Sequence, residues 1–182
     1  MTENLRLVGP IELTSETSQV SESGFNLLAP NQGTWCTEAS ASCTDQSLSY
    51  ISSTEGLGTY FNYYAATASS WNYGNTAQTN EFSVCPSNWQ IPTGYTNGDF
   101  DVLVGYYSAA SDLFGIPVSL VPSGLYHSTE IQNRTAFEAW TRTNTGIAEI
   151  NVRTFSADTS GNVQPTRAGG VYWGRPVRCI AQ

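Results

Sequence analysis

The chain predicts an α+β domain, because helical spacing comes first and a strand-rich half follows. Two observations carry this. Phe61, Tyr64, Ala65 and Ala68 stand at i, i+3, i+4 and i+7 within residues 60–68, the spacing of one buried helical face. Phe100, Leu103, Val104 and Tyr107 form a second such stripe, and beyond Gly115 the apolar runs become short and punctuated by Gly and Pro. No repeat or interdomain linker breaks the 182 residues, so residues 1–182 are read as a single domain.

Taken in order, Leu5, Leu7, Ile11 and Leu13 alternate with polar neighbours on either side of Gly9-Pro10, which predicts two short strands with a break. Residues 14–24 read as an exposed loop. The helix that follows Pro92 has Asn97 as its expected N-cap. Asp99 and Asp101 fall in its first turn, where the helix dipole favours acids. Gly115 is its expected C-terminal stop. Expected strands then run over 117–121, 124–127, 138–143, 147–155 and 175–181.

Composition narrows the class. Apolar residues make up 40% of the chain, which excludes general disorder. Aromatics reach 12%, matching all charged residues together, and there is no lysine. Tyr and Trp with abundant Ser, Gly and Asn suit an adhesive surface, since the aromatics supply contact area at low entropic cost. The net charge of −8 is uneven. Residues 1–130 carry Arg6 against twelve acids, whereas residues 131–182 carry six arginines against Glu138, Glu149 and Asp158. Such asymmetry marks either a site for an anionic partner or neutralisation within one domain. The overall sign disfavours nucleic acid.

Cys36, Cys43, Cys85 and Cys179 admit three disulfide pairings. Closely spaced zinc pairs are absent and His127 is the only histidine. Two disulfides and an oxidising compartment are therefore expected. The short polar segment 36–43 suits a local staple, which would leave Cys85 to join Cys179. In the chain-entropy model these bridges are worth about 2.5 and about 4–5 kcal/mol. Met1-Thr-Glu-Asn opens no signal peptide and no run suffices for a membrane helix. For an extracellular protein, the export signal or anchor is expected outside this sequence.

Several strings resemble one family in order and content. They are Met1-Thr-Glu-Asn-Leu-Arg-Leu7, Tyr60-Phe-Asn-Tyr-Tyr-Ala-Ala66, Cys85-Pro-Ser-Asn-Trp-Gln-Ile-Pro-Thr93, Trp140-Thr-Arg-Thr143 and Pro176-Val-Arg-Cys-Ile180. The chain resembles the bacterial surface family named the Fibrobacter succinogenes major paralogous domain. That family is similar in turn to the formylglycine-generating-enzyme and retroelement-diversified branch of C-type-lectin-like folds. The resemblance implies a small twisted antiparallel sheet with two flanking helices and long irregular loops. It also implies a Cys85–Cys179 bridge from the start of the second helix to the last strand. Asn88 and Gln90 stand where the family usually has Gly and Arg, and Gly169-Gly-Val-Tyr-Trp-Gly-Arg175 replaces its common Tyr-Gly-Phe-Ser.

Catalytic constellations are missing from the pattern. The related oxidases need a reactive cysteine pair near the C-terminus, where only Cys179 stands. His127 alone cannot supply a triad, and Asp99/Asp101 read as first-turn helix residues. Gln164-Pro-Thr166 lacks the carboxylate of a lectin calcium motif, so no cofactor is expected, with a structural calcium elsewhere as the alternative. Trp, Tyr and Arg dominate binding hot spots. The expected binding residues are therefore Trp140, Arg142, Asn144, Asn162, Arg167, Tyr172, Trp173 and Arg175. For Trp140 and Trp173 the competing reading is a place in the core. The expected function is a non-enzymatic, extracellular bacterial surface domain that is not itself membrane-spanning and that recognises a glycan or protein partner. Alternatives are a retroelement-diversified binding protein and a structural surface-layer or pilus component.

Overall fold

A computed structural model describes residues 25–27, 48–52, 57–67, 83–85, 88–107, 109–115, 117–127, 130–145, 152–171 and 173–181. The readings made over residues 1–24, Cys36, Cys43 and Tyr172 lie outside these residues. In chain order the elements begin with β1 (Phe25–Leu27), β2 (Leu48–Ser52), β3 (Thr59–Phe61) and α1 (Tyr63–Ala66). Next come β4 (Trp89–Gln90), α2 (Asp99–Tyr106), α3 (Ala110–Phe114), β5 (Leu125–His127) and β6 (Glu130–Gln132). The chain closes with β7 (Ala136–Asn144), β8 (Val152–Asp158), β9 (Val163–Gly169), β10 (Arg175–Pro176) and β11 (Ile180–Ala181). Three strands precede the first helix and seven follow the last, a mixed order consistent with α+β in general.

The strands form four small sheets, ordered β1-β2-β3-β10, β11-β4, β5-β6 and β7-β8-β9. All pairings between these strands are antiparallel except β1 with β2, and an isolated parallel bridge joins Gly124 to Phe137. The helix expected over 60–68 is a single turn. Tyr60 and Phe61 belong to β3, and Asn62 then caps α1 by accepting from the Ala65 amide at 2.8 Å. Thr67 bonds back to the Tyr63 carbonyl and closes the turn.

Two further expectations shift. Gly98, not Asn97, is the N-cap of α2. Asn97 instead adopts φ +62°, and its amide donates to Asp101. The long helix also breaks: Tyr107 leaves α2 in an extended conformation, and Gly115 closes the separate α3. Residues 117–121 form no strand. Pro117 and Val118 make a turn and Ser119 has φ +51°. Arg178 holds this loop by donating to the Val118 and Ser119 carbonyls. Asn88, where the resemblance puts glycine, has φ +64°, a conformation Asn tolerates better than most residues.

β7 stands between two apolar clusters and supplies both. Phe137 and Ala139 join Phe155 and Ala157 of β8 against Phe100 of α2, Leu113 of α3 and Leu120. Phe100 and Phe155 stack with centroids 4.3 Å apart, worth about 0.5–1.5 kcal/mol beyond their burial. Trp140 joins the other cluster with Phe61, Tyr63, Ile91, Val152, Val177 and the two bridged cysteines. Its indole donates to the Phe61 carbonyl at 2.6 Å, tying the long sheet to β3.

Two irregularities shape the long sheet. β7 advances four residues from Trp140 to Asn144 while β8 advances two, so β7 bulges there. The bulge meets the segment before α2: the Arg142 amide donates to the Pro92 carbonyl and the Gly94 amide to Thr143. A Cβ on Gly94 would lie 2.5 Å from the Thr141 methyl, so only glycine permits this approach. β9 advances three residues, Gln164 to Arg167, against two on β8. Pro165, which has no amide to donate, sits in that second bulge.

Cys85 and Cys179 form a disulfide with Cα atoms 5.8 Å apart, closing 94 residues of chain. Cys85 precedes β4 rather than opening α2, and Cys179 precedes β11, which pairs with β4. The bridge therefore reinforces a ladder of two residue pairs that would be marginal alone. Replacing both cysteines by alanine is expected to cost about 4–5 kcal/mol. Urea denaturation of the non-reduced protein and the double variant checks this, and a loss below about 1 kcal/mol would contradict it.

Candidate functional site

The face of the β7-β8-β9 sheet turned away from the helices is polar. Strand alternation puts Ala136, Glu138 and Trp140 on that face of β7 and Ser156 and Asp158 beside them on β8. The β9 bulge shifts the alternation by one, so Gln164 and Arg167 both reach the same side. With Asn133 and Thr135 these residues line a recess of about 330 Å³.

Glu138 forms its floor. The side chain is only 1% exposed, and both oxygens are engaged. Oε1 accepts from Asn133 Nδ2 at 3.1 Å and Arg167 Nη1 at 3.3 Å. Oε2 accepts from Arg175 Nε at 3.3 Å. Arg167 is 42% exposed and Arg175 wholly buried, so one carboxylate joins a surface cation to an interior one.

Arg175 lies 4.6 Å from the Trp140 ring centroid and 5.0 Å from that of Trp173. These contacts are cation–π interactions on a desolvated guanidinium. Trp173 is half-buried and meets His127 edge-on at 5.4 Å. Among the described residues, Nη1 and Nη2 of Arg175 have no acceptor within hydrogen-bond reach. Burial draws the Arg175 pKa down to about 10, against the pull of Glu138, so the group stays charged at neutral pH. Gly169 makes room for it, since a Cβ there would stand 2.7 Å from the Thr154 methyl and 3.4 Å from Arg175 Nη1.

The β8–β9 turn closes the far end. Asp158 Oδ1 accepts from the amides of Ser160 and Asn162 and from the Ser160 hydroxyl, and Oδ2 accepts from the Asn162 side chain at 2.8 Å. These bonds, the Asn162 side chain foremost, hold the Asp158 carboxyl near pH 2. No protein-family model, curated protein or solved structure matches the chain. Among the described residues no group of three or more His, Cys, Asp or Glu side chains converges as for a metal ion. No described helix is long and apolar enough to cross a membrane.

The expected binding residues are thus dispersed by depth. Arg167 and Asn162 line the recess, though the Asn162 amide is committed to its own turn. Arg175 pairs with Glu138 and lies against Trp140 and Trp173, and none of these three lines the recess. Arg142 and Asn144 lie on the bulged end of β7 and do not line it. Glu138 and Asn133 were not among the expected residues. Glu138 had a signal: it is the one acid in a Phe-Glu-Ala-Trp run, within a segment of excess arginine.

Removing the Glu138 carboxylate leaves Arg175 buried without its counter-charge, so Glu138→Ala is expected to destabilise the fold by about 3–5 kcal/mol. Chemical denaturation measures it, and a loss within about 0.5 kcal/mol would show that the pair is dispensable. The Asp158 turn predicts a pH effect with a definite sign. Its folded pKa, about 2, is below the ordinary 3.8, so its stabilisation is full above that ordinary value and fades as pH falls through about 2. The Ser160 and Asn162 amide resonances should titrate with a midpoint near 2. A midpoint near the ordinary value contradicts the bonded turn.

Proposed function

We propose that this chain is a non-enzymatic, extracellular recognition domain of C-type-lectin-like fold that holds a surface glycan in the recess above Glu138. The observation that carries the reading is the recess itself. Amides, hydroxyls and a guanidinium line it in a fan on one side of a sheet whose reverse is packed on helices. A rigid scaffold presenting planar polar groups suits the ring hydroxyls of a sugar, which offer paired donors and acceptors at fixed spacing.

The lectin-like reading is supported by the closing segment returning to the middle of the chain, where β11 meets β4 beside the Cys85–Cys179 bridge. The disulfide favours an oxidising compartment outside the cytosol. The dense internal bonding of Glu138 and Asp158 favours a binding role over catalysis, since neither carboxylate keeps the freedom of a proton-transfer group.

Screening on an array of bacterial and host surface glycans tests the proposal. The native domain is expected to retain a defined subset. Ser156→Arg, which fills the recess, should weaken those hits at least about tenfold, whereas Tyr106→Ala, an exposed change on α2, should leave them intact. Binding that survives Ser156→Arg would place recognition elsewhere.

A further inference from the structure

We infer that the recess selects sugars bearing a carboxylate, with Arg167 as the group that pairs with it; this rests on the recess being the binding site. The basis is a balance of donors and acceptors. The acidic acceptors that line the recess are already taken. Glu138 accepts three hydrogen bonds and Asp158 accepts four within its own turn. The donors are not exhausted in the same way. Arg167 offers five N–H groups, and among the described residues its side chain contacts one partner, Glu138, through Nη1 alone. A partly exposed guanidinium with an unused edge matches the fork of a carboxylate.

Charge points the same way. Glu138 is compensated from beneath by Arg175, which has no other ionic partner among the described residues. Arg167 therefore need not neutralise that carboxylate by itself, and its positive charge is left directed at the recess. Asp158 is the opposing charge, and it lies at the turn end, half-buried and occupied by its own loop. Two of the six arginines of residues 131–182, Arg167 and Arg175, meet around one glutamate. A neutral sugar would meet the same hydroxyl and amide groups but would leave the Arg167 fork unmatched.

Isothermal titration of the intact protein with tri-galacturonate and with sialyllactose tests this. The methyl ester of the first and plain lactose serve as the uncharged counterparts. At least one acidic sugar is expected to bind about tenfold more tightly than its uncharged counterpart, with the preference shrinking as salt is raised. Arg167→Gln should abolish the preference, and Arg167→Lys should retain only part of it, because the ammonium keeps the charge without the fork. Thermal melts of both variants establish that they are folded. Equal binding of acidic and neutral sugars, both lost in Ser156→Arg, overturns the carboxylate assignment and leaves the recess as the site. Acid-selective binding untouched by Ser156→Arg and Arg167→Gln overturns both. No measurable binding of either acidic sugar also overturns the assignment.

Discussion

Taking the Arg175 guanidinium out of water costs several kcal/mol, and what offsets that cost organises this half of the molecule. A carboxylate must lie beside it, and Glu138 does. Polarisable faces must flank it, and Trp140 and Trp173 do. Backbone must approach closely, which only Gly169 among the β9 residues allows, by having no Cβ to strike Thr154. Because Arg175 belongs to β10 and Glu138 to β7, the ion pair also joins two sheets that share no backbone ladder. Such a pair is no measure of net stability, since apolar side chains could fill similar space at less electrostatic cost.

The same constraint explains why the long sheet has two unlike faces. One face must be apolar to pack on α2 and α3, and the alternation of Phe137, Ala139, Phe155 and Ala157 achieves it. The other face must carry Glu138 to meet Arg175, so it cannot be closed over with apolar side chains without stranding a charge. A polar, open recess is the consequence. β9 is the outer strand of this sheet, and its bulge at Pro165 interrupts the row of edge amides that would otherwise invite another chain. The bulge also turns Arg167 toward the recess when strict alternation from Gln164 would send it to the opposite side.

Much of the architecture was legible in residue spacing, and the failures have physical causes. The stripe Phe100, Leu103, Val104, Tyr107 is a real packing face, with Phe100 buried and the other three half-buried against the same cluster, because 3.6-residue periodicity reports packing directly. The break after Tyr106 was not legible, since nothing in Tyr107-Ser-Ala109 stops a helix by local propensity. Phe61, Tyr64 and Ala65 mimicked a helical face because a strand ending and a helical turn place apolar residues at compatible intervals, and Ala68 lies outside the described residues. β9 was missed because Val163-Gln-Pro-Thr-Arg-Ala-Gly169 is mostly solvent-facing and interrupted by proline, so period-2 alternation never develops. Trp140, Trp173, Arg167 and Arg175 meet around Glu138, but their depth is not written in composition. Trp140 and Arg175 form the support, and among the described arginines Arg167 alone lines the recess.

This division between support and surface determines where the protein can change. Along β9, Gln164, Thr166, Arg167 and Ala168 are exposed, and their side chains can vary without entering either apolar cluster. Tolerance stops at Gly169, where any side chain meets Thr154 and crowds Arg175. It stops equally at Glu138, because its loss leaves an interior cation uncompensated. A recess whose rim is free to vary and whose floor is held by an ion pair separates the shape of its lining from the stability of its support. Substitutions on one edge strand can then reshape the recess lining while the Arg175–Glu138 contact keeps the two sheets joined.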